Sequence, residues 1–132
     1  MKRTLLLILS VMAFAGMSVA QDVYTSGYYY NDDYKKVAAV YRNNEMLFST
    51  SDTPSFEHES SDVLLLDGDI YWVDNCTDAN HDSYYSRVMK NNDVFLEIPI
   101  GTKSHISCLF TDGGDVYAAG NMLFSGNQKP MV

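Results

Sequence analysis

One phrase occurs three times in this chain, and its spacing limits the folds available to it. "DVYTSG" opens at residue 22, "DIYWVD" at 69 and "DVYAAG" at 115. The first interval is 47 residues and the second is 46. The text between these marks also agrees. "VYRNNEMLF" (40–48) answers "VMKNNDVFL" (88–96), and "DVLLLDGDIY" (62–71) answers "SCLFTDGGDVY" (107–117). A third, compressed copy closes with "MLFSGNQKPMV" (122–132). Internal repetition at such a period marks an array of supersecondary units, each unable to bury its apolar face alone.

Each copy reads as four short strands and no helix. Asp-Val-Tyr or Asp-Ile-Tyr starts a segment rich in β-branched and aromatic residues, as strands prefer. Asn43-Asn44 and Asn91-Asn92 are two-residue loops suited to the positive φ angles of a type I′ hairpin. Asp67-Gly68 and Asp112-Gly113 give the same signal and lead into the next Asp-Val/Ile-Tyr. "YNDDYK", "SDTPSFEHES" and "NCTDANHDS" read as polar links between hairpins. The expectation is an all-β, β-propeller-like fold of four-stranded antiparallel sheets. Its repeats cover 22–68, 69–114 and, in part, 115–132.

A propeller closes with about four to eight blades, and this sequence supplies about two and a half. Three readings follow: a fragment of a longer propeller, a ring completed by several chains, or an open stack or sandwich. The fragment is preferred. Open ends and unpaired strand edges invite self-association.

Residues 1–20 stand outside the repeat and read as a secretory signal peptide. Lys2 and Arg3 precede the apolar run "LLLILSVMAFA", and Ser18-Val19-Ala20 offers small residues for cleavage near Ala20. The run is too short for a membrane span, which needs about 20 residues. The expected location is therefore extracytoplasmic, periplasmic or secreted. The full chain carries a net charge of −8, which argues against a nucleic-acid partner, since those favour a basic face. Two cysteines, Cys76 and Cys108, enter an oxidising compartment where a disulfide could persist. Nothing in the spacing brings them together, so two separate thiols are the preferred reading.

The repeated phrases, each following an apolar strand, resemble the Asp-Val-Tyr-Val-Ala-Gly repeats of secreted bacterial proteins, in which a Tyr-Trp-Lys-Asn-Gly hairpin recurs. The matching hairpins here are Tyr41-Arg42-Asn43-Asn44 and Met89-Lys90-Asn91-Asn92, without the Trp or the turn Gly. The resemblance spans 22–132. It implies a propeller-like fold and an extracytoplasmic location, and no catalytic residue can be carried over from it.

Candidate sites are few. Asp78, Asn80 and Asp82 alternate as oxygen ligands for Ca²⁺ do, but Ser83 and Met89 stand where an EF-hand has Gly and Glu. Polar turn residues are the preferred reading. His58, His81 and His105 fall in or beside predicted loops without metal-ligand spacing. No Gly-x-Ser-x-Gly elbow, phosphate-binding Gly loop or zinc motif is present, so no catalytic, cofactor or metal residue is assigned. Tyr28-Tyr29-Tyr30, Trp72 and Tyr84-Tyr85 could stack on sugars or anchor a protein partner. Packing between blades is the preferred role for these aromatics.

The function expected from the sequence is a secreted, non-catalytic repeat scaffold binding an unknown protein or glycan. The alternatives are a carbohydrate-binding module using loop Tyr and Trp residues, and the non-catalytic remnant of a secreted hydrolase.

Overall fold

A computed structural model describes residues 21–50, 55–81, 83–98, 103–124 and 127–131. The signal-peptide reading of residues 1–20 lies outside the described residues. All regular structure among the described residues is antiparallel β. Eleven strands run in order: β1 (Tyr24–Tyr30), β2 (Lys36–Arg42), β3 (Glu45–Ser49), β4 (Phe56–Glu59), β5 (Val63–Leu66), β6 (Asp69–Asp78), β7 (Tyr84–Lys90), β8 (Asp93–Ile98), β9 (Ser104–Asp112), β10 (Asp115–Phe124) and β11 (Asn127–Met131).

The strands form three sheets. The first is β1-β2-β3, the third is β9-β10-β11, and the central one carries β4 and β5 along one edge of β6, followed by β7 and β8. β4 pairs with Asn75–Asp78 and β5 with Asp69–Trp72, so together they act as one interrupted strand. Asp62, in the interruption, accepts the Val73 amide at 3.1 Å and continues the ladder.

Hairpin chemistry follows the turn residues. Asn43 and Asn44 have φ of 51° and 69°, and Asp67 and Gly68 have 52° and 87°, as a type I′ turn requires. The expected Asp112-Gly113 turn falls one residue later. Gly113 and Gly114 take the positive φ angles, and Asp112 pairs with Asp115. Two adjacent glycines make that placement free of Cβ strain.

The repeated Asp and Asn form a clasp. Asp22 accepts Asn43 Nδ2 at 2.7 Å and pairs with Arg42 at 2.6 Å. Asp69 does the same with Asn91 Nδ2 at 2.9 Å and Lys90 at 2.8 Å. Asn43 and Asn91 in turn accept the amides of Val23 and Ile70, each at 3.0 Å. A bulge follows Val40 in one sheet and Val88 in the next, at equivalent positions.

The central sheet buries both faces. Ile70, Trp72, Met89 and Val63 pack on Tyr24, Ala38, Val40 and Phe48 of the first sheet. Tyr71, Val73 and Val88 pack on Ile106, Leu109, Val116 and Ala118 of the third. The two junctions use repeat-equivalent positions: Tyr24 and Val40 in one correspond to Tyr71 and Val88 in the other. On the receiving side, Val63, Ile70 and Trp72 correspond to Leu109, Val116 and Ala118. Asn75 adds a polar tie, donating to the Ile106 carbonyl at 2.9 Å and accepting its amide at 3.0 Å.

The sequence period therefore has a different phase from the sheets. The Asp-Gly hairpins lie inside a sheet, and the breaks fall in the links after Ser49 and Ile98. Two segments read as links are strands in part: Phe56–Glu59 within "SDTPSFEHES" and Asn75–Asp78 within "NCTDANHDS". Most of their side chains are polar, with His58, Asn75 and Cys76 buried in hydrogen-bonded contacts, so the apolar alternation that marks a strand is missing.

Candidate functional site

Cross-strand register builds a polar cluster within the central sheet. His58 pairs with Cys76 across β4 and β6, and Cys76 pairs with Tyr85 across β6 and β7. Asp74, two residues before Cys76 and so on the same face, pairs with Arg87. That face also carries Ile70 and Trp72, which meet the first sheet. His58, Asp74 and Cys76 are exposed by only 2%, 0% and 1%.

Asp74 is the hub. Its Oδ1 lies 3.0 Å from His58 Nδ1, its Oδ2 accepts Arg87 Nε at 3.0 Å, and Arg87 Nη2 also contacts Oδ2. The Cys76 thiol donates to Oδ2 at 3.4 Å. Four donors saturate a carboxylate's acceptor capacity, which is how a fully buried charge is tolerated. The carboxylate facing His58 Nδ1 places a proton on that nitrogen.

Burial pushes the Asp74 carboxyl up, but the hydrogen bond and charge of His58, with the Arg87 guanidinium, more than offset it and the net shift is down. Burial, reinforced by the Asp74 charge, raises Cys76 and keeps it a neutral thiol. Tyr85 is also raised, by burial and then by its hydrogen bond with Cys76. Arg87 rises because Asp74 outweighs its desolvation.

Cys, His and Asp together suggest nucleophilic catalysis, but the geometry here differs from that of a relay. In a triad one imidazole nitrogen serves the nucleophile and the other the carboxylate. Here the same Nδ1 faces Asp74 at 3.0 Å and Cys76 Sγ at 3.3 Å. A buried, neutral thiol is also unlike the electropositive, accessible setting of reactive cysteines. The arrangement suits charge burial or ligation of a cation.

His58 also lines a cleft of about 160 Å³ with Lys36, Glu57, Glu59, Thr77, His81 and Tyr84. Lys36 crosses from β2 to pair with Glu59 at 3.3 Å, and His105 Nε2 lies 3.8 Å from the same carboxylate. The cleft thus sits where the first sheet meets the edge strand β4.

The residues singled out from the sequence fall in several places. Asp78 ends β6, its Oδ1 accepts the Ser83 amide at 3.1 Å, and its carbonyl accepts the His81 amide at 3.0 Å. Its carboxylate thus helps close the β6–β7 turn in which Asn80 lies, and Asp82 lies outside the described residues. Trp72 is fully buried, its Nε1 donating to the Asn91 carbonyl at 2.8 Å. It packs between sheets and cannot stack on a sugar. Tyr28 and Tyr30 make an exposed edge-to-face pair, centroids 5.6 Å apart. Tyr84 lines the cleft, whereas Tyr85 is buried. Cys76 and Cys108 are both free, one buried towards the first sheet and one exposed on the third.

Sequence reading missed the cluster because its members lie at 58, 74, 76 and 87, far from any metal-ligand spacing, and two sit in segments taken for links. A signal was nonetheless present. Asp74 occupies the sixth position of the repeated phrase, where the other copies have Gly27 and Gly120. Cys76 stands where they have Tyr29 and Met122, and Arg87 where the first copy has Ala39. The central copy departs from the repeat at three of the four positions that form the cluster, Asp74, Cys76 and Arg87.

No helix among the described residues is long and apolar enough to cross a membrane. No protein-family model, curated protein or solved structure matches the chain.

Proposed function

We propose that this chain is a secreted, non-catalytic scaffold of β-propeller-like blades that binds partners through its sheet faces and inter-blade cleft, and that it is one piece of a longer propeller. The observation carrying this reading is the repetition of the sheet junction. Tyr24 and Tyr71, at the same place in successive copies, each face the following sheet. Tyr117 is the third member of that series. It is exposed and stacks on Phe110, centroids 5.1 Å apart, on the outer face of the third sheet. The occupant that fits this face is a further sheet of the same repeat. For the chain alone, a second copy is the available source. The apolar signal-like run of residues 1–20 and the repeat's resemblance to secreted proteins support an extracytoplasmic setting.

Sedimentation velocity tests the reading. The chain should associate with rising concentration, and Phe110→Ser with Tyr117→Ser should return it to monomer. A monomer at all concentrations, unchanged by the double substitution, would count against a stack built to continue.

Carbohydrate recognition is a second reading, favoured by Tyr84 beside Glu57 and Glu59 in the cleft. Glycan binding lost on Tyr84→Ala would support it, and an absence of binding across a broad glycan array would remove it.

A further inference from the structure

We propose that His58, Asp74 and Cys76 bind a Zn²⁺ ion. The first argument is the donor set. A thiolate, an imidazole and a carboxylate suit Zn²⁺, whereas Ca²⁺ and Mg²⁺ take oxygen ligands alone. The second is geometry. Nδ1, Sγ and a carboxylate oxygen lie within 4.8 Å of one another. Two edges meet at Nδ1, 3.3 Å to Sγ and 3.0 Å to Oδ1, and Sγ also lies 3.4 Å from the other carboxylate oxygen, Oδ2. With Zn–S of about 2.3 Å and Zn–N or Zn–O of about 2.0–2.2 Å, one face of a tetrahedron has edges of roughly 3.3–3.6 Å. The two edges at Nδ1 thus lie within about 0.3 Å of that range.

The third argument is that Asp74 and Cys76 both depart from the repeat. The other copies carry Gly27 and Gly120 for Asp74, and Tyr29 and Met122 for Cys76. The third copy, with Gly120 and Met122, packs its junction without such a cluster, so the stack does not demand Asp74 and Cys76. The cleft lined by His58, Glu57 and Glu59 gives a cation an acidic approach.

Binding balances as follows. Cys76 loses its proton to solvent as the S–Zn bond forms. His58 gives up its Nδ1 proton and ligates through that nitrogen, with the one proton left on the ring at Nε2. Asp74 Oδ1 exchanges the His58 hydrogen bond for the ion, while Arg87 stays on Oδ2 and fixes the carboxylate, as metal-site partners commonly do. One Zn²⁺ enters, and the protons its ligands give up leave to solvent.

The test uses the full chain with Cys108→Ser, which leaves Cys76 as the single thiol. After metal removal, Co²⁺ titration should saturate at one ion per chain with a near-ultraviolet thiolate-to-cobalt charge-transfer band. One equivalent of Zn²⁺ should abolish the band. Zn²⁺ should also slow alkylation of Cys76 at least tenfold, a readout that needs no further substitution. His58→Gln and Cys76→Ser should remove the band and the stoichiometric site. A folded chain showing neither the cobalt band nor protection of Cys76, or Zn²⁺ binding that persists unchanged in Cys76→Ser, would overturn the assignment.

Discussion

Removing Asp74 is the sharpest way to test how the central sheet tolerates its buried charges. In Asp74→Ala, Arg87 loses its anionic partner while its side chain stays 19% exposed, and His58 and Cys76 lose their shared acceptor. Breaking a buried ion pair from one side costs about 3–5 kcal/mol. Arg87 can recover some hydration, so the lower end applies, about 3 kcal/mol. Arg87→Ala should cost a similar amount, because Asp74 then keeps only His58 and the weak thiol donor. The double variant strands neither partner of the Asp74–Arg87 pair. It should cost about 3–4 kcal/mol, well below the sum of the single effects, with a coupling of about 2–3 kcal/mol. Urea unfolding in the presence of a chelator measures this without a metal contribution. With a slope of about 1.5 kcal/mol per molar, each single variant should lower the midpoint by about 2 M. Additivity within about 0.5 kcal/mol would refute the reasoning, because it would mean that Asp74 and Arg87 do not stabilise one another.

Other substitutions probe the repeat itself. A Cβ at Gly120 would lie 2.1 Å from the His105 carbonyl oxygen and 2.8 Å from Ile106 Cα, so Gly120→Ala should destabilise by about 1–3 kcal/mol. Gly27, its repeat equivalent, has nothing within 4 Å of such an atom, and Gly27→Ala should instead stabilise by about 0.5 kcal/mol. Thermal melts that move both variants the same way would contradict the close approach at the β9–β10 bulge. Trp72→Ala should cost about 3–5 kcal/mol, and a loss below 1 kcal/mol would mean that Trp72 does not carry the junction. Thiol titration of the native, metal-free chain should find one fast-reacting group, Cys108, and a second, Cys76, that reacts slowly until denaturant is added; two fast thiols would place Cys76 at the surface. The Lys90 hydrogen bond, then that of Asn91, holds the Asp69 carboxyl below its ordinary 3.8. The folded value is depressed, so the clasp's contribution is complete above 3.8 and is lost as pH falls through the folded value. Asp69→Asn should therefore be less stable than the parent at neutral pH and converge with it in acid. A pH-independent difference would remove the ion pair as its cause.

The repeat, the absence of helix in the described chain and the hairpin turns were legible because they depend on local chemistry. A period near 46 residues, strand-forming residues and Asn-Asn or Asp-Gly pairs act over a few positions, so their meaning survives without knowledge of the fold. Even the Asp that opens each phrase could be seen to recur, although its role in a clasp with Arg42 or Lys90 could not. Tertiary structure decided what depends on which strand lies beside which. It moved one turn to Gly113-Gly114, placed Trp72 inside a junction rather than on a binding surface, and made strands of Phe56–Glu59 and Asn75–Asp78. It also gathered His58, Asp74, Cys76 and Arg87 from positions up to 29 residues apart. The physical reason is that a polar residue on a strand looks like a loop residue until the sheet that buries it is present. The sequence determined the repeating unit, and only the register between β4, β6 and β7 turned one copy's irregular residues into a site.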